Sequence, residues 1–217
     1  GSCSVATWSR VGLRSEALLP AQAASASAQS AVKHRSVDVI AINVPGESTG
    51  EEEYRNSEIA RRVIEIARAF QPDVCHCHAI QVLGCEYFDE LRQLGTKIAI
   101  TAHDCWWICE RQFMINSDGF YCDQWVLNDA QCGQCSADHR MQVKRNAYLK
   151  QQLNSADLLL FPSNFHRNLH LANGIGRENS FVNKNGVTLP APGYLSMRAT
   201  AKRARDVSIL VRTSLLT

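Results

Sequence analysis

The chain has 217 residues, 45% hydrophobic and 20% charged, enough to bury one substantial core, so one main domain is expected. A formal charge of +2 excludes the strong basic field of a nucleic-acid binder and leaves open only a mild attraction to anionic surfaces, such as peripheral contact with a membrane. No apolar run approaches the roughly 20 residues of a membrane-spanning helix, and no basic-then-apolar leader opens the chain, which predicts a soluble, cytoplasmic protein.

Residues 1–36 carry little pattern beyond a short strand at Gly12–Pro20 and an Ala-, Ser- and Gln-rich loop at Ala21–Ser30. Val37–Val44 is rich in β-branched residues and stops at Pro45-Gly46, which predicts a strand closed by a turn. Ser57 is a suitable N-cap for a helix in which Ile59, Val63, Ile66, Ala67 and Phe70 recur at helical spacing until Pro72 ends it. Val74–His78 reads as a strand, Val82–Leu94 as a helix ended by Gly95, and Lys97–Ala102 as another strand.

A cysteine-rich insertion, residues 104–138, then leaves a strand end, and Met141–Leu153 resumes as a helix with Lys and Arg on its wet face. Leu158–Phe161 is a short buried strand, Ser163 caps a helix over Asn164–Ala172, and Ser180–Asn183 is a further strand before a turn at Asn185-Gly186. Leu189–Asp206 suits a linker, and Val207–Val211 the first strand of a second domain that stops there. Alternating strands and helices predict an α/β fold over 37–188, an open parallel sheet with helices on both faces, followed at 189–217 by a linker and a truncated second domain.

In such sheets the ligand crevice lies beyond the carboxyl ends of the strands. His103 and Asp104 stand at such an end, although His103 could equally cap the strand. His76 and His78 share one face of their strand, with Cys75 and Cys77 on the other. His76 reads as a satisfied core histidine, while His78, nearer the strand end, lines the crevice.

Nine cysteines is an odd count, and four of them, Cys109, Cys122, Cys132 and Cys135, cluster with the spacing of metal ligands, which favours a reducing compartment. Four thiolates suit a tetrahedral structural zinc, and the loop that bears them has little apolar area with which to order itself. An iron–sulfur cluster uses the same ligands, disulfides would form in an oxidising compartment, and four unliganded thiols is the plain alternative. Cys85 and Cys105 read as ordinary buried thiols. Trp106, Trp107, Phe113, Phe120, Tyr121 and Trp125 either cover a sugar or lipid acceptor or pack around the metal. A redox Cys-x-x-Cys and a cysteine hydrolase are both disfavoured, since no strand-to-helix turn and no base accompany the thiols.

Pro72-Asp73-Val74-Cys75-His76-Cys77-His78 and Thr101-Ala102-His103-Asp104-Cys105-Trp106-Trp107-Ile108-Cys109, then Ala156–Phe165 and Asn185-Gly186-Val187, stand in an order that resembles the acceptor-side domain of family-4 glycosyltransferases of GT-B fold. The resemblance covers about Asp38–Pro192. It implies a Rossmann-like half of a two-domain enzyme that moves a sugar from a nucleotide-sugar donor to a sugar or lipid-linked acceptor with retention of configuration. It also implies that His103, with Asp104 beside it, serves the reaction at the cleft and that His78, Trp106 and Ser163 contact the acceptor. The sequence departs from the family where no opening strand and glycine-rich loop precede residue 20, and where Lys184 and Thr188 replace a usual proline and aspartate. The donor half is expected to be missing. The competing expectation is a catalytically silent α/β binding module stapled by zinc.

Overall fold

A computed structural model describes residues 5–9, 28–34, 37–42, 50–81, 83–176 and 178–186. Residues 1–184 form one compact unit, and Asn185–Thr217 a second of which only Asn185 and Gly186 are described. The strands expected at Gly12–Pro20 and Val207–Val211 and the linker at Leu189–Asp206 lie outside the described residues.

Among the described residues the main sheet has five strands. β1 (Val5–Ser9) lies at one edge. β2 (Ala28–His34) and β3 (Val37–Ile42) pair antiparallel in a separate two-stranded sheet. The strand expected at Val37–Val44 therefore exists but does not join the main sheet. Its nearest partner is the chain just before it, His34 pairing with Val37, and this draws in Ala28, Gln29 and Ser30 from the expected loop.

α1 (Ser57–Phe70) is capped by Asn56, whose Oδ1 accepts from the Ile59 amide at 3.1 Å, rather than by Ser57. It buries Ile59, Ala60, Val63, Ile64 and Ala67 on one face and ends with Gln71 in the left-handed region, one residue before Pro72. β4 (Val74–Ala79) follows.

The helix expected from Val82 begins only at Phe88, as α2 (Phe88–Gln93). The delay has a local cause. Gly84 has φ 69°, and a Cβ there would lie 2.8 Å from the Tyr54 carbonyl oxygen, which accepts from the Cys85 amide at 3.1 Å. The close approach holds this segment in turns until Phe88.

β5 (Lys97–Thr101) leads into the insertion, whose only helix among the described residues is the one-turn α3 (Asp129–Cys132). α4 (His139–Asn154), capped by Asp138, β6 (Leu158–Phe161), α5 (Asn164–Ala172) and β7 (Ser180–Val182) complete the unit.

β4, β5, β6 and β7 are parallel and lie side by side in chain order, while β1 pairs antiparallel with β4. The parallel core meets expectation. The edge strand at Val5–Ser9 is not an expected one, since the sequence places the early strand at Gly12–Pro20. Right-handed crossovers between strands that advance in one direction put α2, α4 and α5 on one face. That face carries Cys75, Cys77, Ile98, Ile100, Leu159 and Phe161, none more than 1% exposed. On the other face Ala99 and Thr101 are buried, His76, Leu158 and Leu160 are half-buried, and Phe181 is 56% exposed.

α4 keeps Lys144 and Lys150 on an exposed face as expected. Arg145 departs from that face and is buried against the insertion, bonded to the Trp106 carbonyl, and Gln142 and Gln152 are buried too.

Candidate functional site at the carboxyl edge of the sheet

β4 turns His76 and His78 to the same side, their ring centroids 4.2 Å apart. His76 Nε2 bonds Thr101 Oγ1 at the end of β5 at 2.8 Å. His76 is thus satisfied as expected, but only half-buried. His103, exposed just past β5, stacks on His78 and bonds it, Nε2 to Nδ1, at 3.1 Å. Burial lowers the proton affinity of His76, and His103 lowers it further. His78 is lowered first by burial, then by His76 and His103. Three histidines thus form a ladder across two strand ends, in which added protons repel one another.

Asp104 does something different. Its Oδ1 accepts from the Trp106 amide at 2.9 Å, and its Oδ2 accepts from Gln112 Nε2 at 2.6 Å and Gln81 Nε2 at 3.5 Å. A carboxylate so engaged fixes the turn into the insertion.

Trp106, expected at the acceptor, is 4% exposed. It meets Trp107 edge-on at 5.3 Å and lies under the Arg145 guanidinium at 4.8 Å, while its carbonyl accepts from Arg145 at 2.6 Å. It is a core residue, because the turn that Asp104 ties folds it inward. Ser163 is half-buried and caps α5, its Oγ accepting from the His166 amide at 3.1 Å.

That cap brings in a residue the sequence reading passed over. His166, in the first turn of α5, lies near Asp104 and His103. Burial lowers its proton affinity against the opposing pull of Asp104, and its Nε2 is buried without a partner. His170 stacks on it at 4.6 Å, donates from Nδ1 to the His166 carbonyl at 2.9 Å, and keeps a buried Nε2 also without a partner. Burial holds His170 down at about 3. The signal available was the position of His166 in the first turn of a helix leaving a strand's carboxyl end.

The insertion closes one side of this edge. Asn173, at the end of α5, accepts from the Leu127 amide at 2.8 Å and donates to the Trp125 carbonyl at 3.0 Å. The Trp125 ring meets Phe165 at 5.6 Å. Phe113 and Phe120 are 63% and 71% exposed, so the aromatic residues of the loop divide between core and surface.

Cys109, Cys122, Cys132 and Cys135 line one cavity, whereas Cys85 and Cys105 stand apart from it. Cys85 is buried as expected, and burial pushes the half-buried Cys105 up to about 12. Among the described residues no three His, Cys, Asp or Glu side chains are already arranged to hold a metal ion. A cavity of about 290 Å³ between α1 and α2 is lined by charges such as Arg68 and Glu90 that pair with each other, and it lies away from the strand ends.

No described helix is long and apolar enough to cross a membrane. No curated protein and no solved structure matches the chain. The sequence model described as Glycosyltransferase Family 4 matches residues 18–189, well over half of the chain. With its parallel sheet and the histidine edge inside that match, the chain belongs to glycosyltransferase family 4.

Proposed function

We propose that this chain is the acceptor-side half of a two-domain enzyme that moves a sugar from a nucleotide-sugar donor to a sugar or lipid-linked acceptor, with retention of configuration, in the cytoplasm. The observation that carries the reading is His103, exposed at the carboxyl end of β5 and bonded to His78 at 3.1 Å within the family-matched region. With Nε2 engaged by His78, the Nδ1 of His103 is the atom offered to a hydroxyl of the bound sugars. Its task is to orient them, and Asp104 acts through it by fixing the turn. The charge that neutralises the leaving diphosphate comes, in this reading, from the donor-side half of the fold. A lipid-linked acceptor would bring the chain to a membrane surface through peripheral contact only.

The silent-module reading has one observation in its favour, the engagement of both Asp104 carboxylate oxygens, which leaves no free carboxylate beside His103. Turnover separates the two. Sugar transfer is measured with panels of nucleotide-sugar donors and sugar acceptors, on a protein carrying both halves of the fold, beside its His103→Ala variant. The expected result is transfer that falls sharply in the variant while the thermal midpoint holds. Transfer unaffected by the substitution, or acceptor binding with no transfer by any donor, would sink the catalytic reading.

A further inference from the structure

The surroundings of the four cysteines point to an ion. Cys109, Cys122, Cys132 and Cys135 come from three separate stretches of the insertion, yet line one cavity of about 20 Å³. That is room for a single water-sized particle, since about 10–15 Å³ suffices for one.

The polar groups around the sulfurs are donors. The Arg111 and Met114 amides hydrogen-bond the Cys109 thiol. Gln124 Nε2 lies 3.9 Å from Cys132 Sγ, and Gln142 also bonds that thiol. A neutral thiol is a poor acceptor and a thiolate a good one, so four N–H groups converging on two sulfurs describe an environment for negative sulfur. Arg145 adds a cation. It is buried, its bonds go to a neutral carbonyl and an amide, and Glu110, Cys109, Glu53 and Tyr54 lie within electrostatic reach of it.

The backbone also carries strain here. Gln112 and Met114, between Cys109 and Cys122, and Asp123, just after Cys122, have φ of 60°, 57° and 54°, left-handed positions for residues that are not glycine. Between Cys109 and Cys135 Met114 is buried, while Phe113, Ile115, Phe120, Tyr121, Trp125 and Val126 are exposed and offset little of it.

We propose that Cys109, Cys122, Cys132 and Cys135 close on this cavity as the four thiolate ligands of one structural zinc ion. The ligands supply the preferred tetrahedral thiolate set, the N–H donors and Arg145 offset the excess negative charge, and the sulfurs must move inward from their present positions to complete the geometry. Loading releases the thiol protons, and the ion supplies the ordering energy that packing does not. Because the 125–127 segment is tied to α5 through Asn173, the ion also fixes the wall beside Phe165.

The test is elemental analysis of the full chain, purified under reducing conditions without chelator. About one zinc per chain is expected. Cys132→Ser should lose it, and Cys105→Ala, outside the cavity, should keep it. If the Cys132 variant does not accumulate, two measurements on the unaltered chain decide. Cobalt(II) in place of zinc should give the visible absorption of a tetrahedral four-thiolate site, and stripping the metal should open protease cuts between Cys109 and Cys135 while the sheet resists. Four thiols that titrate freely in metal-free native protein, an iron–sulfur absorption band, disulfides among these cysteines, or zinc retained by Cys132→Ser would each overturn the assignment.

Discussion

His78 and His103 lie 25 positions apart yet share one hydrogen bond, Nδ1 to Nε2 at 3.1 Å, with their rings stacked at 5.4 Å. The bond needs one ring to donate and the other to accept, so the pair works with at most one extra proton. Removing His103 takes away both the exposed ring and the bond that orients it. His103→Ala should lower kcat about 100-fold, the size of effect that misplacement alone can produce, with little change in thermal midpoint. His78→Ala should cost less and leave KM for the donor unchanged. Steady-state kinetics on a protein with both halves of the fold checks both.

Acid should destabilise this domain through its buried imidazoles. His170 has a folded-state value of about 3 against an ordinary 6.5, so the unfolded chain binds its proton first as the pH falls. The stability from the neutral ring is complete above 6.5 and is lost progressively down to about 3. His76, His78 and His166 are shifted in the same direction and add to the loss. Urea melts between pH 7 and 4 should show a steep decline, and His170→Leu should flatten it, whatever it does to stability at pH 7.

Arg145 joins α4 to the insertion through the Trp106 carbonyl, 2.6 Å away, and through the Trp106 ring. Arg145→Ala loses a charge-assisted bond and leaves a void, and should cost about 3 kcal/mol in chemical denaturation. Arg145→Met keeps the volume and removes a buried charge, so its cost should be clearly smaller. Equal costs would mean that charge rather than packing dominates at this position.

Gly84 should not tolerate a side chain. At φ 69°, with the Tyr54 carbonyl oxygen 2.8 Å from the site of a Cβ, Gly84→Ala should destabilise by about 2 kcal/mol. Gly95→Ala is the control, since its φ is 86° but nothing lies within 4 Å of the added atom. The difference between the two melts isolates the contact from the backbone conformation.

Strands and helices with strong local patterns were legible in the sequence. α1 repeats its apolar residues at helical spacing up to a proline, and β4, β5 and β6 are short runs bounded by helix ends. Where a distant partner decided, local pattern misled. The Tyr54 carbonyl delays α2, the β2 hairpin takes β3 out of the main sheet, and the turn tied by Asp104 buries Trp106 and Arg145. Within the site, His78 and His103 follow from strand alternation and strand ends. The inward pull of Gln81 and Gln112 on Asp104 does not, because both reach it across turns that carry no periodic signal.

The clamp on Asp104 bears on its neighbour. One carboxylate receives Gln81 from the end of β4, Gln112 from the insertion and an amide of its own turn, and the next residue back along the chain is His103. A ring hung from so constrained a peptide has already surrendered most of its conformational freedom when the chain folds. In the proposed reading, an incoming sugar would then meet a host that has little left to order, and affinity at this edge would be set by the contacts it gains rather than by the freedom it would have to take away.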